Sequence, residues 1–315
     1  MDFFLSTNWN SRRHTDGEAL VDEILSLGFS GIEVGYDFRS ELTPGLLRRI
    51  RAGAVQAASV HAFSPVPLGA PAGHPELFLL AATEEDTRRL AIFHLRRTLD
   101  FAGEIGARAI VVHAGRVRLG RCWARHADWH DREMTDDWRY RWNLKRMTSL
   151  RRRRIQRHLD ALCRSLEELL PQFEQADMLL AIENLPSFDA LPDRAELLQL
   201  IRSMPATRLR GWLDLGHEQI MANLGFGTDP ALTRQLVPVT AGVHIHDVRG
   251  TQQDHLAPGS GGIAFSDFGF LAGNGIIPVF EPAPTVTSSD LKAGLRLMRQ
   301  CWGTPDSLTK GTHPL

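Results

Sequence analysis

The sequence predicts an α/β fold: a single (β/α)8 TIM barrel with a basic, Trp-rich insertion after the fourth strand. Two observations carry this expectation. Strand-like and helix-like segments alternate eight times along the chain. Strict alternation implies parallel strands joined by right-handed helical crossovers, and eight units close a barrel. In addition, six of the strand-like runs deliver a carboxylate or a histidine at their C-terminal end. Burying an unpaired charge is costly, so six such residues need a shared destination. The C-terminal face of a parallel barrel supplies one. An open doubly wound sheet binds at one crevice and would not spread ligand-type residues over six strands.

The elements follow in order. FFLST (3–7) reads as the first strand. DGEALVDEILSLG (16–28) reads as the first helix, with Leu20, Ile24 and Leu27 at helical spacing and Gly28 at the C-cap position. GIEVGY (31–36) is the second strand and TPGLLRRIRAG (43–53) the second helix, with Thr43 as N-cap and Pro44 in the first turn. AASVHAF (57–63) is the third strand. The helix at 83–107 carries acids in its first turn, as the helix dipole favours. RAIVVHAG (108–115) is the fourth strand, and the insertion follows at about 116–150. The next helix is expected at 149–170, where Ile155, Leu159, Leu162, Leu166 and Leu169 form one stripe. Then come strand 179–185, helix 193–203, strand 209–215, a helix from about 217, strand 241–247, a short helix near 266–272, strand 276–281 and helix 288–300. The barrel is expected to occupy 1–302, with 303–315 as a C-terminal tail.

Composition narrows the function classes. A chain of 315 residues with 43% hydrophobic and 23% charged residues is that of an ordinary globular protein. Its net charge of −1 argues against nucleic acid or an anionic membrane as a partner of the whole molecule. No apolar run approaches the roughly 20 residues of a membrane span, and the opening residues lack a signal-peptide pattern. The expected location is the cytoplasm. Three dispersed cysteines without a CxxC pair fit reduced thiols, with Cys163 and Cys301 read as small buried hydrophobes.

The site residues are the strand-end set. Glu183, Asp214, His244 and Glu281 come from strands five to eight and offer three carboxylates and one imidazole. That mixture suits Mn²⁺, Mg²⁺, Co²⁺ or Zn²⁺, and no pattern points to an organic cofactor. His61 and His113 end strands three and four; His217 and His255 lie in DLGH and DHLAPGSGG. Arg249, just after the seventh strand, could hold a polar substrate group. GSGG at 259–262 is either a phosphate cradle or a tight turn. The three lysines, Lys145, Lys292 and Lys310, are not at strand ends, which argues against Schiff-base chemistry.

The order HA, HAG, ENLP, DLGH, HxHD, GSGG, FEP resembles the xylose isomerase-like TIM-barrel superfamily over roughly 1–300, apart from the insertion. That superfamily holds sugar phosphate isomerases and epimerases, inosose dehydratases and endonuclease IV-type phosphodiesterases. The resemblance implies one catalytic metal on Glu183, Asp214, His244 and Glu281, with Glu183 and Glu281 also moving the substrate proton. It implies a carbohydrate-like small molecule as partner. In the endonuclease branch, His61 and His113 would hold a second metal with Glu183. His217 and His255 would supply two of three ligands to a third. The remaining ligand of that third site, an Asp, aligns with Gln253, or with Asp254 if the register slips by one. HAFSPVPLG also lacks the Tyr and Asn that follow the first histidine in the endonucleases. In sugar-acting members His61 and His113 are substrate contacts.

Two reactions fit such a site. In one, a metal polarises a sugar carbonyl and a carboxylate takes the neighbouring proton, giving isomerisation, epimerisation or, with a leaving group, elimination. In the other, two or three metals activate water against a phosphodiester. The segment 116–158 carries 14 Lys and Arg against 5 Asp and Glu, and four of the seven tryptophans: Trp123, Trp129, Trp138 and Trp142. A lid over the substrate or a contact in a homo-oligomer is the favoured reading, ahead of a nucleic-acid surface.

Overall fold

The computed structural model describes residues 1–303 apart from 205 and 228. Eight parallel strands form a closed barrel: β1 (Phe4–Ser6), β2 (Gly31–Val34), β3 (Ala57–His61), β4 (Ala109–Val112), β5 (Leu179–Glu183), β6 (Leu209–Asp214), β7 (Thr240–Ile245) and β8 (Ile277–Phe280). Each strand neighbours the next in sequence, and β8 closes on β1. The helices are α1 (Gly17–Ser26), α2 (Thr43–Arg51), α3 (Glu85–Glu104), α4 (Cys122–Asp131), α5 (Trp138–Gln175), α6 (Arg194–Ser203), α7 (Leu215–Met221), α8 (Pro230–Leu236) and α9 (Ser288–Trp302). Between β7 and β8 the crossover holds a two-stranded hairpin, Asp247–Arg249 with Gln253–Leu256, and, as its helix among the described residues, a 3-10 helix, Phe265–Leu271. The tail expected at 303–315 lies outside the described residues beyond Gly303, the C-cap of α9.

Alternation along the strands divides the core in two. Leu180, Ile182, Leu213, Val243 and Phe280 point outward into the layer shared with the helices. Phe4, Ala181, Trp212, Ile277 and Val279 fill the barrel interior. Side chains two apart share a face, so the inward row that begins at Ala181, Trp212 and Val279 ends at Glu183, Asp214 and Glu281. Trp212 is the largest interior residue and stands edge-on to His244, 5.1 Å between centroids. It fits because residue 242 is glycine: a Cβ there would lie 2.2 Å from the indole.

Three local expectations change. Thr43 lies inside α2, whose N-cap is Leu42, because a short 3-10 turn at Ser40–Leu42 leads directly into the helix. The buried cysteine is Cys122; Cys163 and Cys301 are only partly buried. The helix expected at 149–170 is the second half of α5, which has 38 residues and starts at Trp138, capped by Asp137. Its buried stripe continues backward through His158, Arg151, Asn143 and Tyr140 at helical spacing. Those residues are polar, and all but one of their buried polar atoms, His158 Nε2, find partners. His158 Nδ1 bonds the Ala81 carbonyl at 2.9 Å, and Asn143 donates to the Cys122 carbonyl at 2.9 Å. Arg151 donates to the carbonyls of Phe188 and Ala190 and to both oxygens of Glu196.

The insertion is therefore a helical hairpin, α4 against α5. It rests on the turn at Ala222–Phe226, where Phe226 meets Trp123 and His126 at centroid distances of 5.8 and 5.0 Å. Asp131 accepts from Thr251 and Gln252 in the loop after β7. Trp138 and Trp142 stay 72% and 54% exposed. No helix of the described residues is long and apolar enough to cross a membrane.

Candidate active site

The strand ends gather their ligand-type side chains into one buried cluster. Glu183, Asp214, His244 and Glu281 each place a ligand atom within 4.8 Å of the others. His61, His113 and Glu183 form a second such group, and His217, His246 and His255 a third. Glu183 is the hub. Its Oε2 lies 3.2 Å from His61 Nε2 and 3.3 Å from His113 Nε2. Its Oε1 lies 3.2 Å from His244 Nδ1 and 3.4 Å from His217 Nδ1. His244 Nδ1 is also 3.2 Å from Glu281 Oε2 and 3.8 Å from Asp214 Oδ2.

A further layer aims these groups. Glu33, fully buried on β2, holds His244 Nε2 at 3.2 Å and accepts from Ser59 at 2.8 Å. His244 thus offers Nδ1 to the cluster. Asn184 of ENLP ties β5 to β6: it accepts from the Asp214 amide at 2.8 Å and donates to the Asp214 carbonyl at 3.0 Å. Its own carbonyl takes His217 Nδ1 at 2.9 Å. The Glu281 carbonyl takes His255 Nδ1 at 2.7 Å. Both rings are thereby set to present Nε2 as a lone pair, the arrangement of metal-bound histidines. Asn8 donates to Glu281 Oε1 at 3.3 Å. Glu76 lies 3.5 Å from His113 Nδ1 and is itself gripped by Arg116.

His246 completes the third group where an Asp was expected; neither Gln253 nor Asp254 joins it. Its Nδ1 accepts the His255 amide at 2.9 Å, and its Nε2 faces Asp214 at 3.1–3.2 Å. With both nitrogens engaged, His246 orients Asp214. Gly216 makes room for it, since a Cβ there would sit 2.0 Å from the ring.

Burial should raise the carboxylates and lower the imidazoles, but charge pairing overrides it for most. His244 and His113 hold the Glu183 carboxyl well below the carboxylate range. Against its own burial, Glu281, Glu33 and Glu183 push His244 well above an ordinary histidine. Glu183 and Glu76 outweigh burial to push His113 up to about 9. For Glu281 burial wins: with Glu183 nearby and despite His244, its carboxyl rises to about 7. Burial lowers His217, and with His246 it lowers His255 to about 3. Four buried carboxylates thus borrow positive charge from protons on nitrogens and an oxygen that could ligate a cation. Carboxylate, imidazole and set tautomers are the donor chemistry of a divalent metal.

Residues 21–276 match the family described as xylose isomerase-like TIM barrel. The chain belongs to that family. Among solved structures it is similar to a putative xylose isomerase from Rhodospirillum rubrum (TM-score 0.69, 15% identity, 95% of this chain and 99% of that one). It is also similar to a D-tagatose 3-epimerase-like protein (0.67, 19%, 96% and 97%). A third is the 3-keto-D-glucoside 4-epimerase of E. coli (0.65, 15%, 96% and 100%). At these identities the likeness is one of fold. An uncharacterized protein of Methanocaldococcus jannaschii is 29% identical over 110 residues, 35% of this chain and 41% of that protein's length.

Two expected site features lie elsewhere. The GSGG loop does cradle an anion, but the anion is Asp247. Gly259, Gly261 and Ile263 donate their amides to its carboxylate at 2.8–3.0 Å. The amides of Ser260 and Gly262 go to the carbonyls of Ala257 and Val248. No amide from 259 to 263 is left for a phosphate. Arg249 is exposed and donates to the Ser260 carbonyl at 2.6 Å, which fastens the loop.

Proposed function

We propose that this chain is a divalent-metal-dependent isomerase or epimerase of a sugar, keto-sugar or cyclitol, working by proton abstraction next to a carbonyl. The observation that carries the reading is the buried set Glu183, Asp214, His244 and Glu281, with ligand atoms within 4.8 Å of one another. These four would hold the ion, which when bound would polarise the substrate carbonyl. The chain's own residues then handle the proton. Glu281, buried at the end of β8, would take or return it as general base or acid. Asn8 steadies its Oε1. Glu183 is the second carboxylate, and Asn184 with His246 keeps Asp214 aimed. The structural likeness to a D-tagatose 3-epimerase-like protein and a 3-keto-D-glucoside 4-epimerase is in keeping with this chemistry.

Deuterium exchange tests it. Manganese-loaded protein in D2O should exchange the C–H beside the carbonyl of D-fructose, D-tagatose or L-ribulose, read by NMR. Glu281→Gln should lower the rate by about 10²–10⁴. No exchange with any of the three, nor with the ketose disaccharides isomaltulose, turanose and lactulose, would contradict the reading.

One observation supports a second reading. The two Glu183 oxygens face separate histidine sets, Oε1 toward His244 and Oε2 toward His61 and His113, as a carboxylate bridging two ions would. A metal-dependent phosphodiesterase would use such a pair. Two or three ions per chain, with cleavage of a model phosphodiester, would favour it.

A further inference from the structure

We infer that the cavity beside His217 is a subsite for a second hydroxylated ring, so that the preferred substrate is a glycoside or disaccharide rather than a free monosaccharide. This rests on the sugar-isomerase reading. The cavity, about 280 Å³, lies among α5, α6, α7 and the turn at 222–226. It approaches the size of small ligand pockets. His217 and Asn184 belong to its wall, so it adjoins the metal-type cluster.

The lining pairs two kinds of surface. Phe188 and Phe226 stack at 5.1 Å and 27°, with Met221 and Leu232 beside them. Arg194 and Glu218 form an ion pair, and Thr233 bonds both of them. Glu218 is only 6% exposed, and its Oε2 has no hydrogen-bond partner. A buried acceptor left unpaired is costly, and a ligand hydroxyl is the donor that would satisfy it. The second lining guanidinium, Arg151, is taken by Glu196 and Asp193. With both arginines neutralised, no positive charge is free for a phosphate. An apolar ring face for the phenylalanines and hydroxyls for the ion pair describe a sugar ring. The insertion braces this site: Trp123 and His126 back Phe226, and Arg151 holds the carbonyls of Phe188 and Ala190.

Calorimetry on the full-length, manganese-loaded protein separates the possibilities, with D-fructose against three ketose disaccharides: isomaltulose, turanose and lactulose. At least one disaccharide should bind about tenfold more tightly than fructose, the order expected of one ring stack and one hydrogen bond. Ala195→Trp, at the exposed start of α6 where the cavity opens, should fill it. That variant and Phe188→Ala should bring the disaccharide down to the fructose level. Fructose affinity and bound metal should stay unchanged. Equal affinity for fructose and all three disaccharides overturns the subsite while leaving the sugar reading intact. So does an equal loss for both sugar types in the variants. Absence of any sugar binding, with no deuterium exchange, overturns both.

Discussion

At the scale of the residue, the cluster depends on groups that touch its ligands rather than on the ligands alone. Glu33 accepts from His244 Nε2 and so decides which nitrogen faces the carboxylates. Glu33→Ala should weaken metal affinity by about 10–100-fold, as loss of such an outer partner does. Chelator competition would measure it; unchanged affinity would show that His244 is held by packing alone. Protonation sets a second prediction. His244, raised well above an ordinary histidine, and Glu281, raised to about 7, hold protons around neutral pH in the metal-free protein. Metal binding must release them, so affinity should rise with pH from 6 to 9. Titrations at fixed metal and varied pH check the sign, and a flat profile would contradict it. Glu183, Asp214, His244, Glu281 and four outer histidines were legible because each closes an apolar run or sits in a short motif. Glu33 was hidden because GIEVGY runs on past it. His246 was hidden beside His244, although the two-residue period places both inward. Glu76 lies in a loop, where no periodicity marks it.

At the scale of the element, strand periodicity explains why the barrel was readable, and satisfied polarity explains why α5 was not. A helix stripe made of Tyr140, Asn143, Arg151 and His158 does not look apolar, because most of its polar atoms find their partners only in the folded chain. Arg151→Ala would take the donor from the carbonyls of Phe188 and Ala190 and the partner charge from Glu196, which keeps only the Asp193 amide. Removing one partner of a buried pair typically costs about 3–5 kcal/mol, and the hairpin α4–α5 should then become open to limited proteolysis. Resistance equal to the wild type would mean that packing of Trp123, His126 and Tyr140 suffices. Within the barrel, Gly242→Ala would drive a methyl into Trp212. Overpacking of this kind costs about 1–3 kcal/mol, and a denaturant midpoint measures it. Because Trp212 underlies His244, the same variant should also lose metal affinity.

At the scale of the whole molecule, seven of the eight strands bring carboxylates and imidazoles from residue 33 to residue 281 into one centre, so folding and ion binding are linked. An ion that binds only the folded chain stabilises it by about 2.7 kcal/mol at a hundredfold excess over its Kd. Thermal unfolding should therefore shift upward with Mn²⁺ and downward with EDTA, and Glu183→Gln should blunt the shift. The eightfold alternation made the architecture readable from sequence, while the GSGG loop shows where such reading stops. A glycine-rich turn cradles anions in general, and only the fold shows that this one already holds Asp247. The most direct test of the central claim is anomalous diffraction at the manganese edge from crystals of the Mn²⁺-loaded protein. A peak bounded by Glu183, Asp214, His244 and Glu281 is expected, absent in Asp214→Asn. A map with no peak among these four residues, or with manganese bound only elsewhere, would contradict it.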